Sequence, residues 1–287
     1  IVINNCFDLK LIDKSLLNLF KKDTYNILNL ECPILKDSNN KKIVKTGPHL
    51  KGHGESTKNI LDHLNIDLLT LANNHIKDYD QKGISDTVKF CEDNGYDYVG
   101  VGRGLKDSMS TFKFSYGKLK ISIINVAENE WSSALSNDWG SHPFDIIENS
   151  RIIKNEKKDS DYVFLIFHGG HEYYDLPSPN LKKNMRYLVE QGADLVVCHH
   201  SHCVSGYELY KEKYIFYGIG NFLFTKASKN EEWYKGVVLD LELNSEKIIK
   251  DKPIFCLVKP DDYSIKVADD NNQKYFLLDW RKKIIMA

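Results

Sequence analysis

The chain has 287 residues, 42% of them hydrophobic and 28% charged, which excludes a disordered or fibrous polymer and fits a single soluble layered domain over residues 1–287. Its 39 basic and 40 acidic residues leave a formal net charge of −1, so there is no electrostatic footprint for nucleic acid and none is expected as a partner. Arginine occurs only at 103, 151, 186 and 281, so bidentate arginine recognition of phosphate is not expected to dominate. The six cysteines, at 6, 32, 91, 198, 203 and 256, contain no CxxC pair, which argues against a disulfide framework or a zinc ribbon. The longest apolar stretch, Tyr162–Phe167, is far short of the ~20 residues that cross a bilayer. A cytoplasmic location is expected for the chain as given; because it opens on Ile1, removal of a leader segment would make a membrane-anchored, extracytoplasmic location the alternative.

Taken in order, the β-branched runs and helical periods predict a strand over Ile1–Ile3, a helix over Lys14–Phe20 and a strand over Asn26–Leu30. A helix over Ser56–Leu64 and a strand over Asp67–Leu71 follow, then a helix over Gln81–Asn94, whose Asp86 and Glu92 read as a solvated face. Strands are expected at Tyr96–Val99 and Leu119–Val126, and a helix at Ile146–Lys157. Beyond the strand Tyr162–Phe167 comes a helix over Asn180–Gln191 with Gly192 as its terminating glycine, and then strands at Leu195–Cys198, Tyr214–Tyr217 and Gly236–Leu243. Strands alternating with helices make this an α/β protein. Gly100-Val101-Gly102-Arg103-Gly104 reads as a turn because it is not GxGxxG, and Lys36–Gly54 and Glu128–Pro143 are long polar loops of the kind that carry function.

Four strands run directly into polar clusters: Glu31; Asn73-Asn74-His75; His168-Gly169-Gly170-His171-Glu172; and His199-His200-Ser201-His202. Ligands bind beyond the carboxyl ends of strands in open α/β sheets, so these clusters are expected to meet. Imidazoles suit Zn, Fe or Mn and the amide and carboxylate oxygens suit hard divalent ions, so the mixed set points to a hydrolytic centre holding one or two divalent metal ions. Two ions about 3.5–4 Å apart activate water and neutralise phosphoryl charge, and a neighbouring His protonates the leaving group. Taken singly, each cluster has a plainer reading. Glu31 is a solvated carboxylate, Asn73-Asn74 a turn dipeptide, and His168 a satisfied core histidine. Three imidazoles in four residues at a strand end are harder to read that way. Cys198 and Cys203 with His200 and His202 form an alternative zinc set, although the spacing fits no familiar finger.

The segments Asn29-Leu30-Glu31-Cys32-Pro33, Leu71-Ala72-Asn73-Asn74-His75, His168-Gly169-Gly170-His171-Glu172-Tyr173, Gly192–Val197, His199-His200-Ser201-His202 and Gly218-Ile219-Gly220-Asn221-Phe222 occur in this order across most of the chain. Together they resemble the CapA-type proteins of poly-γ-glutamate capsule synthesis, relatives of calcineurin-like metallophosphoesterases. The resemblance implies a four-layer α/β/β/α sandwich with a metal site at the strand ends. By that likeness Glu31 is the bridging carboxylate, Asn74 the amide ligand, and His168, His200 and His202 the imidazole ligands. His75 assists the leaving group, Glu172 contacts the site or substrate, and Asn221 shapes the pocket floor. The family opens with a strand followed by Gly-Asp, whose Asp ligates metal; here Ile1–Ile3 precedes Asn4-Asn5-Cys6-Phe7-Asp8, so either Cys6 takes that place, or Asp8 substitutes, or one metal position is weak or empty.

The function expected is a metal-dependent hydrolase, a phosphoesterase acting on a phosphorylated small molecule or capsular polymer beside other capsule-synthesis proteins. The missing Asp keeps open a largely non-catalytic assembly or polymer-binding component, and hydrolysis of a γ-glutamyl amide is a third reading.

Overall fold

The computed structural model describes residues 1–4, 7–36, 41–246 and 248–286. The first half, in chain order, comprises α1 (Lys14–Leu17), β1 (Ile27–Asn29), α2 (Gly54–His63), β2 (Leu68–Thr70), α3 (Asp80–Asn94), β3 (Asp97–Val99), β4 (Val101–Arg103), α4 (Leu105–Ser108), β5 (Phe112–Tyr116), β6 (Leu119–Ala127) and β7 (Trp139–Ser141). The second half comprises α5 (Ile146–Glu156), β8 (Tyr162–His168), α6 (Pro179–Glu190), β9 (Leu195–His199), β10 (Tyr207–Tyr210), β11 (Lys213–Phe216), β12 (Lys235–Leu243), β13 (Ile248–Val258), β14 (Ile265–Val267) and α7 (Asp270–Met286).

Strand alternation decides the layering. Successive side chains on a strand point to opposite faces, so a strand buried on both faces feeds two cores. In β8, Tyr162, Phe164 and Ile166 join one apolar cluster while Val163, Leu165 and Phe167 join another. Leu195 and Val197 of β9 face with the first set, Val196 and Cys198 with the second. These strands are the centre of a six-stranded sheet of order β10-β11-β9-β8-β6-β5, parallel through β11, β9, β8 and β6, with antiparallel strands at both edges. Its outer cluster includes Ile153 of α5 and Met185 and Leu188 of α6.

Its inner cluster meets Leu68 of β2, Val237 of β12 and Phe255 of β13. Those strands belong to two three-stranded sheets, the parallel β1-β2-β3 and the antiparallel β12-β13-β14. Their alternate residues, Leu69 of β2 and Cys256 and Val258 of β13, turn to a third cluster with Ile60, Leu61, Ile84 and Val88 of α2 and α3. Three apolar interfaces between successive layers make the four-layer α/β/β/α sandwich.

Helix ends follow local chemistry. Asp145 caps α5 by accepting from the Ile147 and Glu148 amides at 2.9 Å, Ser178 caps α6 with Pro179 in the first turn, and α3 ends at Gly95, whose φ of +77° needs no Cβ.

Several expectations need correction. Ile1–Ile3 is not a strand; Val2 alone makes an isolated bridge, to Phe224. The first helix stops at Leu17 rather than Phe20. Asp86 is buried, paired with Lys82 and accepting from the Lys36 amide at 3.2 Å, so α3 is not solvated there. The glycine-rich segment contains β4, which pairs antiparallel with β7, between Gly100 and Gly104 at positive φ.

Candidate metal centre

The carboxyl ends of four parallel strands assemble the site. Glu31 follows β1, Asn73-Asn74-His75 follows β2, His168 closes β8, and His200 and His202 follow β9. All six of Glu31, Asn74, His75, His168, His200 and His202 are buried. His168 Nε2 lies 3.2 Å from Asn74 Oδ1 and 3.7 Å from Glu31 Oε1, and His202 Nε2 lies 3.4 Å from the same Glu31 oxygen. Glu31, His168 and His200 offer ligand atoms all within 4.8 Å of one another, as do Glu172, His200 and His202. Two overlapping donor sets thus share His200.

Local backbone presents these rings. His200 and His202 have φ of +88° and +53°, a region that non-glycine residues seldom occupy, and Tyr173 has φ of +65° with its N–H donating to Ser201 O at 2.7 Å. After His168 the chain turns at Gly169 and Gly170; a Cβ on Gly169 would come within 2.7 Å of both Glu128 Cβ and the Phe167 ring. His202 Nδ1 is 3.0 Å from Asn221 Oδ1, and Asn221 donates its amide to Trp233 O at 3.0 Å. That orientation makes Nδ1 the protonated nitrogen and leaves the Nε2 lone pair toward Glu31.

The electrostatics fit a cation. Burial pushes the Glu31 carboxyl up, but the neighbouring His202, His168 and His75 outweigh it and pull the group below the usual carboxylate range. Burial drives His168 well below its ordinary value, against the pull of Glu31, and lowers His200 in the same way. The Glu31 carboxyl thus sits within 3.4 Å of His202 Nε2 and 3.7 Å of His168 Nε2, the arrangement of a shared donor set. Glu31 Oε1, His168 Nδ1 and His200 Nδ1 are buried with no hydrogen-bond partner. Unsatisfied buried polar atoms are costly, and a divalent ion amid carboxylate, amide and imidazole donors would supply the missing interaction at Glu31.

The remaining expected residues separate. Glu172 is at the rim, 41% exposed, with Oε1 4.0 Å from His200 Nε2. Asp8 is not brought to the cluster: it is exposed and its carboxylate caps a short turn through the Lys10 amide at 3.0 Å. Cys6 lies outside the described residues. The cysteine–histidine zinc set does not form among the described residues, because Cys198 points into the core beneath the outer helices and burial raises its thiol.

Sequence reasoning missed Asp78, Lys45 and Trp131. Asp78 Oδ2 lies 2.8 Å from His75 Nδ1, Lys45 pairs with Asp78 Oδ1, and the Trp131 indole donates to Asn74 O at 2.8 Å. An acid three residues after His75 was a readable signal; Lys45 and Trp131 carry none.

The family profile for the bacterial capsule synthesis protein PGA_cap matches residues 5–226. The capsule biosynthesis protein CapA of Bacillus anthracis is 30% identical over 218 residues, 72% of this chain and 52% of that one. The PGA biosynthesis protein CapA of Bacillus subtilis is 33% identical over 214 residues, 73% of this chain and 55% of its own length. The chain thus spans about half the length of these curated relatives. Among solved structures, a putative 5'-nucleotidase from Staphylococcus aureus aligns over 97% of this chain and 56% of its own with a TM-score of 0.54 at 13% identity. A hypothetical protein from Thermus thermophilus aligns over 84% of this chain and 90% of its own, with a TM-score of 0.53 at 13% identity. The fold is metallophosphoesterase-like, and the chain belongs to the PGA_cap family of bacterial capsule synthesis proteins.

Proposed function

We propose that the protein is a metal-dependent hydrolase that cleaves a phosphate ester during capsular polymer synthesis. The observation that carries this reading is the convergence of Glu31, His168, His200 and His202, with partnerless buried atoms, on one pocket beside Asn74 and His75. These residues would hold one or two divalent ions, with Mn, Zn and Fe the candidates, and a bound ion would supply Lewis acidity toward a phosphoryl oxygen and activation of water.

The chain's own groups do the rest. Asn221 fixes the His202 ring, and Trp131 holds the Asn74 main chain. His75 Nδ1 lies 2.8 Å from Asp78 Oδ2 and 3.1 Å from Lys45 Nζ, and in the tautomer with the proton on Nδ1 it donates to Asp78. To protonate a departing alkoxide the ring would carry a second proton on Nε2, as the imidazolium, delivering that proton while Nδ1–H stays on Asp78. Burial excludes bulk water from these donors and strengthens their interaction with developing charge.

The test is metal content together with hydrolysis of a phosphomonoester, a phosphodiester and a γ-glutamyl amide. Stoichiometric Mn, Zn or Fe with ester turnover, reduced about 10²–10⁴-fold by His75→Ala without loss of metal, is expected. Bound metal without ester turnover would overturn the phosphoesterase reading, and turnover of the amide alone would change the reaction class.

A further inference from the structure

Lys45 lies in the polar loop between β1 and α2, yet its side chain and that of Asp78 are both fully excluded from solvent. Its ammonium pairs with Asp78 Oδ1, lies 3.1 Å from His75 Nδ1, and sits 5.2 Å from the centre of the Trp131 ring. The other Asp78 oxygen accepts from the Leu50 amide at 2.6 Å and from His75 Nδ1 at 2.8 Å. The main chains meet as well, Ile43 N donating to Asp78 O at 3.2 Å. Asp78 is therefore a hub that joins one loop cation, one loop amide and one imidazole.

The contacts limit what Lys45 does. An ammonium with no solvent exposure and with Asp78 as counter-ion is not placed to meet a substrate phosphate. Its charge instead decides how Asp78 behaves. A carboxylate ion-paired with Lys45 through Oδ1, while Oδ2 contacts the Leu50 amide and His75, has its charge shared among three groups, so it orients the ring. Without the ammonium, Asp78 is a buried anion held by one amide and one imidazole, and residues 41–49 lose one of their side-chain tethers, the contacts of Lys42 and His49 with Tyr79 remaining.

We propose that Lys45 is a positioning residue, a buried counter-ion that fixes Asp78 and through it the ring plane and tautomer of His75, coupling the loop of residues 41–53 to the site. The proposal rests on the hydrolase reading only for the use to which His75 is put.

The experiment compares Lys45→Met, Lys45→Arg and the neutral pair Lys45→Met with Asp78→Asn, which leaves no buried charge and keeps the question open to test if the single methionine variant does not fold. Two-bond ¹H–¹⁵N spectra of the histidine rings, taken on metal-free protein at pH 8, should show both His75 ring nitrogens displaced in the methionine variants and restored in Lys45→Arg. His142, a buried imidazole whose Nε2 lies 2.8 Å from Asn149 Nδ2, is the control and should not move. Amide exchange at Leu50 should quicken in the methionine variants alone. Where ester turnover is present, kcat should fall about 10²-fold with KM held. His75 resonances unchanged in a methionine variant, or displaced equally by arginine, would overturn the proposal. Since the spectra need neither metal nor substrate, an absence of turnover would count against the hydrolase reading and leave this one standing.

Discussion

On the imidazole side of the site, Glu31 Oε1, His168 Nδ1 and His200 Nδ1 are buried without a hydrogen bond, Glu31 Oε1 having only longer contacts with His202 and His168. Across the pocket, the turn after β2 is more fully paired, although Asp78 Oδ1 has an ion pair with Lys45 and no hydrogen bond. Asn73 donates to Leu30 O and Leu71 O and accepts from the His75 amide, and Asp78 takes Lys45, Leu50 and His75. One half is paired mostly within the protein, and the other leaves donor atoms that the proposed cation would complete. On the proposed function, the difference means that proton-handling geometry is set during folding while the coordinating half would respond to cation supply.

The comparison can be broken most forcefully at Asp78. Asp78→Ala leaves the Lys45 charge buried and uncompensated, and a loss of about 3–5 kcal/mol in urea unfolding is expected. A loss under about 1 kcal/mol would show that the turn is not a closed network. On the imidazole side, a divalent cation at about 100 times its Kd should raise stability by about 2.7 kcal/mol, and scanning calorimetry should show that gain abolished in His168→Ala. An equal gain in the variant would move the cation elsewhere. Asn221→Ala frees His202 Nδ1, and calorimetric titration should show metal affinity about 10-fold weaker with the turn unaffected.

The smallest effect concerns His142, an imidazole buried outside both halves. Burial pushes it down to about 3, against the opposing Asn125 backbone contact. Its folded value lies below its unfolded one, so the unfolded chain binds more protons between pH 6.5 and 3. Its contribution is full above pH 6.5 and declines as pH falls through that window. The first unit below pH 6.5 should cost about 1 kcal/mol, and His142→Gln should flatten that part of the acid limb. An unchanged limb would mean the ring is protonated in the fold.

Legibility in the sequence followed the physics of each element. The central strands β8 and β9 were readable because both faces are buried and the runs are almost wholly apolar, and α2, α3, α5 and α6 were placed within two residues by their periodicity. Strand β13 was not readable, since Lys250, Asp251, Lys252 and Pro253 interrupt it and antiparallel pairing with β12 supplies what local pattern does not. Helix α7 spreads apolar residues over more than half its circumference, and its anchor is tertiary: Trp280 packs against Tyr207, Phe216 and Phe255. Within the site, Glu31, Asn74, His168, His200 and His202 were visible because strand ends advertise them. Lys45 was one basic residue among 39 until the loop folded it inward.

The left-handed backbone at His200 and His202 carries a consequence for engineering. Each such torsion in a side chain-bearing residue costs of order 1–3 kcal/mol, so the two positions are ones where ligand holding and ease of folding oppose each other. Glycine at either place would relax the main chain and remove an imidazole of the proposed metal centre. A thermostabilised version selected without regard to cation uptake would be expected to abandon these imidazoles early, and its improved heat tolerance would be the sign of a deactivated centre.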